Sequence, residues 1–203
     1  MIAGQVAAQG ESASIQSPRW SYEIRGGNYH PDLDLFETFY GDDKEGYFSL
    51  AGNYRLKEWL EIGGEYSQMR AKGVGILTST QALGGSVTYR LNPAHIYSNF
   101  IFQRGVRQRV VPYVGLGLTV AAYKQDVEIQ GSIDGRTDLG YSARLGVRFL
   151  VGSKGLTATA ASAGNPDWRS YIFLEAQQIS VEVDDIELGG QSYMLGFRME
   201  FNP

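Results

Sequence analysis

The chain has 203 residues, 43% hydrophobic, 12% aromatic and 20% charged, which is enough for one domain with a sizeable core. Its 18 Lys and Arg against 22 Asp and Glu leave a net charge of −4, the wrong balance for neutralising a phosphate backbone, so no nucleic acid is expected as a partner. With no Cys there is no disulfide, thiol nucleophile or thiolate metal site, and no uncharged apolar run approaches the ~18 residues of a membrane helix, although membrane β-strands need only about 9 to 11.

Residues 1–17 read as an N-terminal tail ahead of a domain over 18–203. Val6, Ala7 and Ala8 have the small-residue character of a signal-peptide cleavage region, yet no basic segment precedes them, so a signal remnant and a plain tail are equal alternatives. From there the dominant signal is alternation with period two. Residues 20–26 set Trp20, Tyr22 and Ile24 against Glu23 and Arg25. Past an acidic stretch over 28–44, residues 47–56 oppose Phe48, Leu50, Gly52, Tyr54 and Leu56 to Ser49, Ala51, Asn53 and Arg55. Lys57 and Glu58 read as a hairpin turn into 59–69, where Leu60, Ile62, Gly64 and Tyr66 oppose Glu61, Gly63, Glu65 and Ser67. Residues 81–91 set Leu83, Gly85, Val87, Tyr89 and Leu91 against Ala82, Gly84, Ser86, Thr88 and Arg90.

Residues 112–123 oppose Val114, Leu116, Leu118 and Val120 to Tyr113, Gly115, Gly117 and Thr119. Residues 138–150 oppose Leu139, Tyr141, Ala143, Leu145, Val147 and Phe149 to Gly140, Ser142, Arg144, Gly146 and Arg148. Two more strands follow over 168–179, with Ile172, Leu174 and Ala176 against Tyr171, Phe173, Glu175 and Gln177, and over 191–201, with Tyr193, Leu195, Phe197, Met199 and Phe201 against Met194, Gly196, Arg198 and Glu200. That makes eight strands. Residues 92–111 and 151–167 are long for barrel turns, and extra strands at 95–102 and 155–161 would raise the count to ten; 95–102 also suits a short helix.

The composition of the two faces decides the fold. A soluble barrel packs its apolar face inward, as a ligand-binding barrel would with Phe48, Leu50, Leu116 and Leu145, whereas a membrane barrel turns it toward lipid. The polar faces hold Glu23, Arg25, Arg55, Glu61, Glu65, Arg90, Arg144, Arg148, Glu175, Arg198 and Glu200, and no lysine. A solvated face would use Lys alongside Arg, while planar guanidinium groups that bridge several carboxylates suit an enclosed network. Glycines such as Gly63, Gly115 and Gly146 leave room for long side chains in the narrow interior of eight strands. Trp20, Tyr54, Tyr89, Phe149 and Phe201 fall toward one rim and Tyr66, Tyr141 and Tyr193 toward the other, as interfacial girdles do. The expected fold is all-β, a transmembrane antiparallel up-and-down β-barrel with a charged, largely plugged lumen.

Tyr54-Arg55-Leu56, Tyr89-Arg90-Leu91, the run Pro112-Tyr113-Val114-Gly115-Leu116-Gly117-Leu118, Gly140-Tyr141, Gly146-Val147-Arg148-Phe149 and the terminal alternation to Phe201 carry a family resemblance. On these motifs the chain resembles the small bacterial outer-membrane β-barrels, the OmpW-like and OmpA-like superfamily, over about residues 20–201. The resemblance implies the bacterial cell outer membrane, contact with its lipid and lipopolysaccharide, and insertion by a barrel-assembly machinery that reads the last strand, here followed by Asn202 and Pro203. It also implies periplasmic termini, which makes 28–44, 70–79, 124–136 and 180–190 external loops. Two of these are acidic, while Lys57, Arg104, Arg107, Arg109, Lys154 and Arg169 gather at the opposite end. Acidic loops could bridge to lipopolysaccharide phosphates through divalent cations, although plain solvation explains them more simply.

Catalytic chemistry is sparse. His30 and His95 are the only histidines and are expected at opposite ends of the barrel, and no nucleophile elbow, P-loop or dinucleotide fingerprint occurs. No cofactor, metal or catalytic residue is expected. His95 with Ser98 is the nearest nucleophile-and-base pair, and it lacks an acid. The expected function is non-enzymatic: membrane integrity, or passage of small solutes, with apolar ones added by the OmpW-like resemblance. One alternative is an interaction subunit that docks a periplasmic or envelope partner through the long turns 92–111 and 151–167; the other is an interfacial lipid A-modifying enzyme.

Overall fold

A strand whose two faces differ in polarity is satisfied only where those faces meet different surroundings, and closing a sheet on itself creates two such surroundings. The computed structural model describes residues 18–32, 45–77, 82–104, 108–128, 131–154, 168–183 and 186–202. Among them are β1 (Trp20–Pro31), β2 (Glu45–Lys57), β3 (Leu60–Leu77), β4 (Ala82–Ile101), β5 (Val110–Val127), β6 (Gly131–Arg136), β7 (Gly140–Lys154), β8 (Trp168–Ser180), β9 (Glu182–Val183), β10 (Ile186–Glu187) and β11 (Gly190–Phe201). The described residues form no helix.

The ladder order β4-β3-β2-β1-β11-β8-β7-β5 closes through a β4–β5 pairing, which gives an eight-stranded antiparallel up-and-down barrel. First and last strands seal against each other from Trp20↔Phe201 to Pro31↔Gly190. β6 and β7 are successive parts of one barrel strand, both paired with β5, and β9 with β10 extends the β8–β11 hairpin.

Four connections differ from expectation. β4 runs unbroken through Asn92 and Pro93, so residues 95–101 continue the fourth strand and add no new one, and the long connection shrinks to 102–109. Proline has no N–H to give a ladder. Accordingly the β3–β4 register is registered at Tyr66↔Ala94 and again at Met69↔Leu91, while Pro93 stays opposite Ala121 of β5. The first turn falls at Glu58 and Trp59, closed by Lys57↔Leu60. On the other side, β3 and the β5–β6 hairpin carry strand structure far into the expected loops 70–79 and 124–136. The second candidate strand, 155–161, and the tail 1–17 lie outside the described residues.

The wall is inverted relative to a soluble protein. Leu116 is 65% exposed and Ile96 75%, and Tyr22, Leu50, Leu145 and Leu195 are likewise exposed, while the charged faces look inward. The interior is layered. An apolar layer of Tyr29, Tyr47, Met69, Tyr89, Leu91, Ile179, Val181 and Met194 fills one end, a charged layer fills the middle, and Ile101, Val111, Tyr113 and Tyr171 pack near the other end.

β4 corrects the sequence assignment. Val87, Tyr89 and Leu91 point inward and are buried, so Tyr89 is no girdle residue and Arg90 stands on the outer wall instead of in the lumen. Further along the same strand the outward positions become apolar, with Ile96 and Phe100 exposed. The polarity of the pattern thus reverses within one strand, because β4 extends beyond the apolar band and its outer face there meets water.

The interior has no spare volume where Gly146 faces Tyr113: a Cβ at residue 146 would fall 2.4 Å from the Tyr113 ring. Overpacking of this kind costs typically ~1–3 kcal/mol. Gly146→Leu is expected to lower the urea midpoint of the barrel refolded in lipid vesicles, whereas Ile133→Leu, at an exposed site on β6, leaves it unchanged.

Candidate functional site: the charged interior and its rims

The central layer exists because inward positions on six barrel strands carry charge at matching heights. β1 supplies Glu23 and Arg25, β2 Arg55, β3 Glu61 and Glu65, β7 Arg144 and Arg148, β8 Glu175, and β11 Arg198 and Glu200. All ten side chains are buried. Arg25 donates from Nη1 to Glu65 Oε2 at 2.9 Å and to Glu175 Oε1 at 2.8 Å, and pairs with Glu23 through Nη2. Arg144 Nη1 donates to the same Glu65 oxygen at 2.9 Å.

Toward the far end, Arg198 pairs with Glu61 through Nη2 and donates from Nε to Glu200 Oε1 at 2.9 Å. Arg148 Nη2 reaches Glu61 Oε1 at 3.0 Å, and Arg55 Nη2 reaches Glu200 Oε1 at 2.9 Å. Glu23 links the two halves, since it also accepts from Arg198 at 2.5 Å. The result is one connected network of five carboxylates and five guanidinium groups.

Neutral side chains frame it. Tyr113 donates its hydroxyl to Glu175 Oε2 at 2.6 Å, and Asn99 Nδ2 donates to Glu61 Oε1 at 3.2 Å. Arg144 lies 3.7 Å over the Tyr97 ring and Arg148 4.3 Å over that of Tyr113, the stacking that a planar guanidinium permits. These aromatic partners on β4 and β5 escaped the sequence reading, although Tyr97 and Asn99 share a period-two face with His95 and Tyr113 opens a face that runs to Gly115.

Arg169 also escaped: placed by sequence at the basic rim, it is buried at the inner end of β8, opposite Glu200 in register. It takes the interior place assigned to Arg90, so the count of inward arginines is still six. His95 likewise lies inside the barrel and not in a turn, with Nδ1 2.7 Å from Thr119 Oγ1. Ser98 is on the opposite face of β4, which separates the one nucleophile-and-base pair that the sequence suggested.

The girdle residues divide as follows. Trp20, Tyr54, Phe149 and Phe201 stand on the outer wall toward the end that holds the chain termini, with Trp20 edge-on to Tyr54 at 4.9 Å. Trp59, Phe100 and Phe102 join that band. Tyr66, Tyr141 and Tyr193 are exposed toward the other end. Between the bands, a shallow groove of about 630 Å³ runs along the outer wall past Val114, Leu116, Ala143, Leu145 and Ala176. Among the described residues no cluster of three or more His, Cys, Asp and Glu could hold a metal ion.

Solved structures share this architecture. Neisserial surface protein A matches with a TM-score of 0.53 and 15% identity over 89% of this chain and 96% of that one. The outer membrane protein OprG of Pseudomonas aeruginosa gives 0.55 and 12% over 92% and 98%, and the N-terminal β-barrel domain of OprF from the same organism gives 0.50 and 11% over 92% and 98%. No family model and no curated protein matches the sequence. The chain thus has the fold of the small eight-stranded outer-membrane barrels.

Removing one partner from a buried ion pair strands the other, at a cost of ~3–5 kcal/mol, while exposed pairs are worth ~0–1 kcal/mol. Glu61→Ala, which leaves Arg148 and Arg198 short of a carboxylate, is expected to destabilise the refolded barrel in a urea titration far more than Asp126→Ala, whose pair with Lys124 is exposed.

Proposed function

We propose that this chain is an integral, non-enzymatic β-barrel of a bacterial outer membrane, whose interior is a closed ionic plug rather than an open pore. The observation that carries the proposal is the inverted distribution of side chains. Arg25, Arg148 and Arg198 are among the most deeply buried residues, while Ile96, Leu116 and Leu145 are exposed around the wall. A continuous apolar belt of this kind far exceeds the few hundred Å² that soluble monomers expose, and hydrocarbon is the medium that satisfies it. The solved barrels that share the fold include the outer membrane protein OprG.

Two features favour a role in membrane integrity over solute passage. The charged layer is cross-linked from β1 to β11, and the apolar layer of Tyr29, Tyr47, Met69 and Met194 lies across the end away from the chain termini. Passage of a small solute, apolar or polar, would require both layers to open. The partners that follow are outer-membrane lipid, lipopolysaccharide at the wall, and the assembly machinery that reads the alternating last strand, β11.

Each rival reading loses one motivating feature, and the turn after Lys154 lies outside the described residues. The interaction subunit was drawn from two long turns, of which 92–111 contracts to 102–109. The lipid-modifying enzyme needed His95 beside Ser98.

Expression behind a signal peptide is expected to give a protein that fractionates with the outer membrane and migrates faster on gels before boiling than after; recovery as a detergent-free soluble monomer would overturn the proposal. In planar bilayers the wild type is expected to be nearly silent, while Arg144→Ala and Glu65→Ala, each of which opens the central network, raise conductance. Equal conductance in all three would remove the plug from the account.

A further inference from the structure

The outer wall beyond the Tyr66 end carries a charge pattern that the barrel itself does not use. Arg70, Arg90 and Lys124 stand side by side on three neighbouring strands, because Arg70↔Arg90 and Arg90↔Lys124 are direct register partners. All three point outward: their neighbours Met69, Ala71, Tyr89, Leu91 and Ala121 fill the interior. Adjacent strands are about 4.8 Å apart, so the row is roughly 10 Å wide. Lys72 lies one outward position above it and Arg136 one below, opposite Ala122.

Like charges directly opposite each other weaken a sheet unless an anion lies between them. The described acids nearest the row lie on or beside β5 and β6, and their close contacts are with Lys124 and Ser86. Asp126 Oδ1 is 3.2 Å from Lys124 Nζ, Asp134 stands opposite Lys124, and Glu128 accepts the backbone N–H and hydroxyl of Ser86 at 3.0 and 3.1 Å. The Arg70–Arg90 pair has no carboxylate within ion-pair distance among the described residues, and Arg90 Nε is buried without a hydrogen-bond partner there.

Height identifies the ligand. Below the row the wall is apolar, with Ile96 and Leu118 exposed and Tyr66 at its margin. Arg70 is four residues beyond Tyr66, about 13 Å along a tilted strand. Arg and Lys side chains reach back from there toward the headgroup layer. Around the same rim Glu182 of the β8–β11 hairpin is exposed, so among the described residues the cationic side is that of β3 to β5.

We propose that Arg70, Arg90 and Lys124 form a phosphate-binding row for the headgroup of a phosphorylated membrane lipid, whose acyl chains lie on the apolar wall beneath. The two guanidinium groups bind phosphate oxygens through paired N–H donors, and the Lys124 ammonium adds a third cation. The proposal rests on the membrane reading above and deepens it by naming what the wall holds.

The test is lipid retention. Wild type, the double variant Arg70→Gln/Arg90→Gln, and Lys57→Gln at the opposite rim are refolded in phosphatidylcholine nanodiscs doped with diphosphorylated lipid A or with its dephosphorylated form. After extraction, co-purifying lipid is counted by native mass spectrometry. Wild type and Lys57→Gln are expected to retain the phosphorylated lipid about tenfold better than the dephosphorylated one, the factor that one charge-assisted hydrogen bond supplies, and the double variant to lose that preference. An excess of inorganic phosphate should not displace the lipid; displacement would assign the row to a soluble anion and overturn the proposal. So would equal retention by wild type and double variant. The substituted side chains lie outside the packed interior, and faster gel migration before boiling verifies that each variant is folded. Failure of the row leaves outer-membrane fractionation intact, whereas failure of the membrane reading abolishes it.

Discussion

A guanidinium group stays charged at any pH a protein meets, so an arginine turned into a barrel must find carboxylates there. That constraint organises this molecule. Moving an ion from water to a low-dielectric interior carries a penalty of several kcal/mol even after relaxation, which pairing offsets only when the geometry is good and further hydrogen bonds are made. Here Glu23, Glu61 and Glu65 each meet two or more arginines, and Arg144 and Arg148 stack on tyrosines as well. Because the partners come from six strands, the network exists only when the sheet is closed. Barrel closure and charge neutralisation are therefore one event.

The same closure explains the wall. With charge and hydrogen bonding directed inward, every outward position in the middle of the barrel is free to be apolar, and interfacial aromatics mark where that freedom ends. β4 shows the boundary most directly. Its outward residues are Ile96 and Phe100 in the band but Arg90 and Thr88 above it, and its inward residues pass from His95, Tyr97 and Asn99 to Leu91, Tyr89 and Val87. Above the band the strand has the polarity of a soluble protein, apolar inside and charged outside. The apolar layer there closes the interior on one side, and the outward positions carry cations.

Charge is thus sorted three ways. Paired charge fills the centre, acidic sequence follows β1 and β8, and cations collect on the outer wall of β3 to β5. On the proposed reading, a plugged barrel of this kind acts at its surface, through lipid, and the row formed by Arg70, Arg90 and Lys124 would give that surface a preferred side.

Period-two alternation with arginine-rich, lysine-free polar faces was enough to read the barrel, its eight strands and most of the interior charges from local pattern, since a strand's two faces are written in successive residues. Glu23, Arg25, Glu61, Glu65, Arg144, Arg148, Glu175, Arg198 and Glu200 were all legible on that ground. What local pattern does not contain is height. Whether Leu91 faces lipid or the interior depends on where β4 stands relative to its neighbours, and only the register of β3 and β5 decides that. The same ladders carry the chain straight through Asn92 and Pro93, place Tyr89 inside, exchange Arg90 for Arg169 in the interior, and set Arg70 beside Arg90. Alternation determines which residues share a face; pairing across strands determines which medium that face meets, because the change from hydrocarbon to water occurs along the barrel axis and not along the sequence.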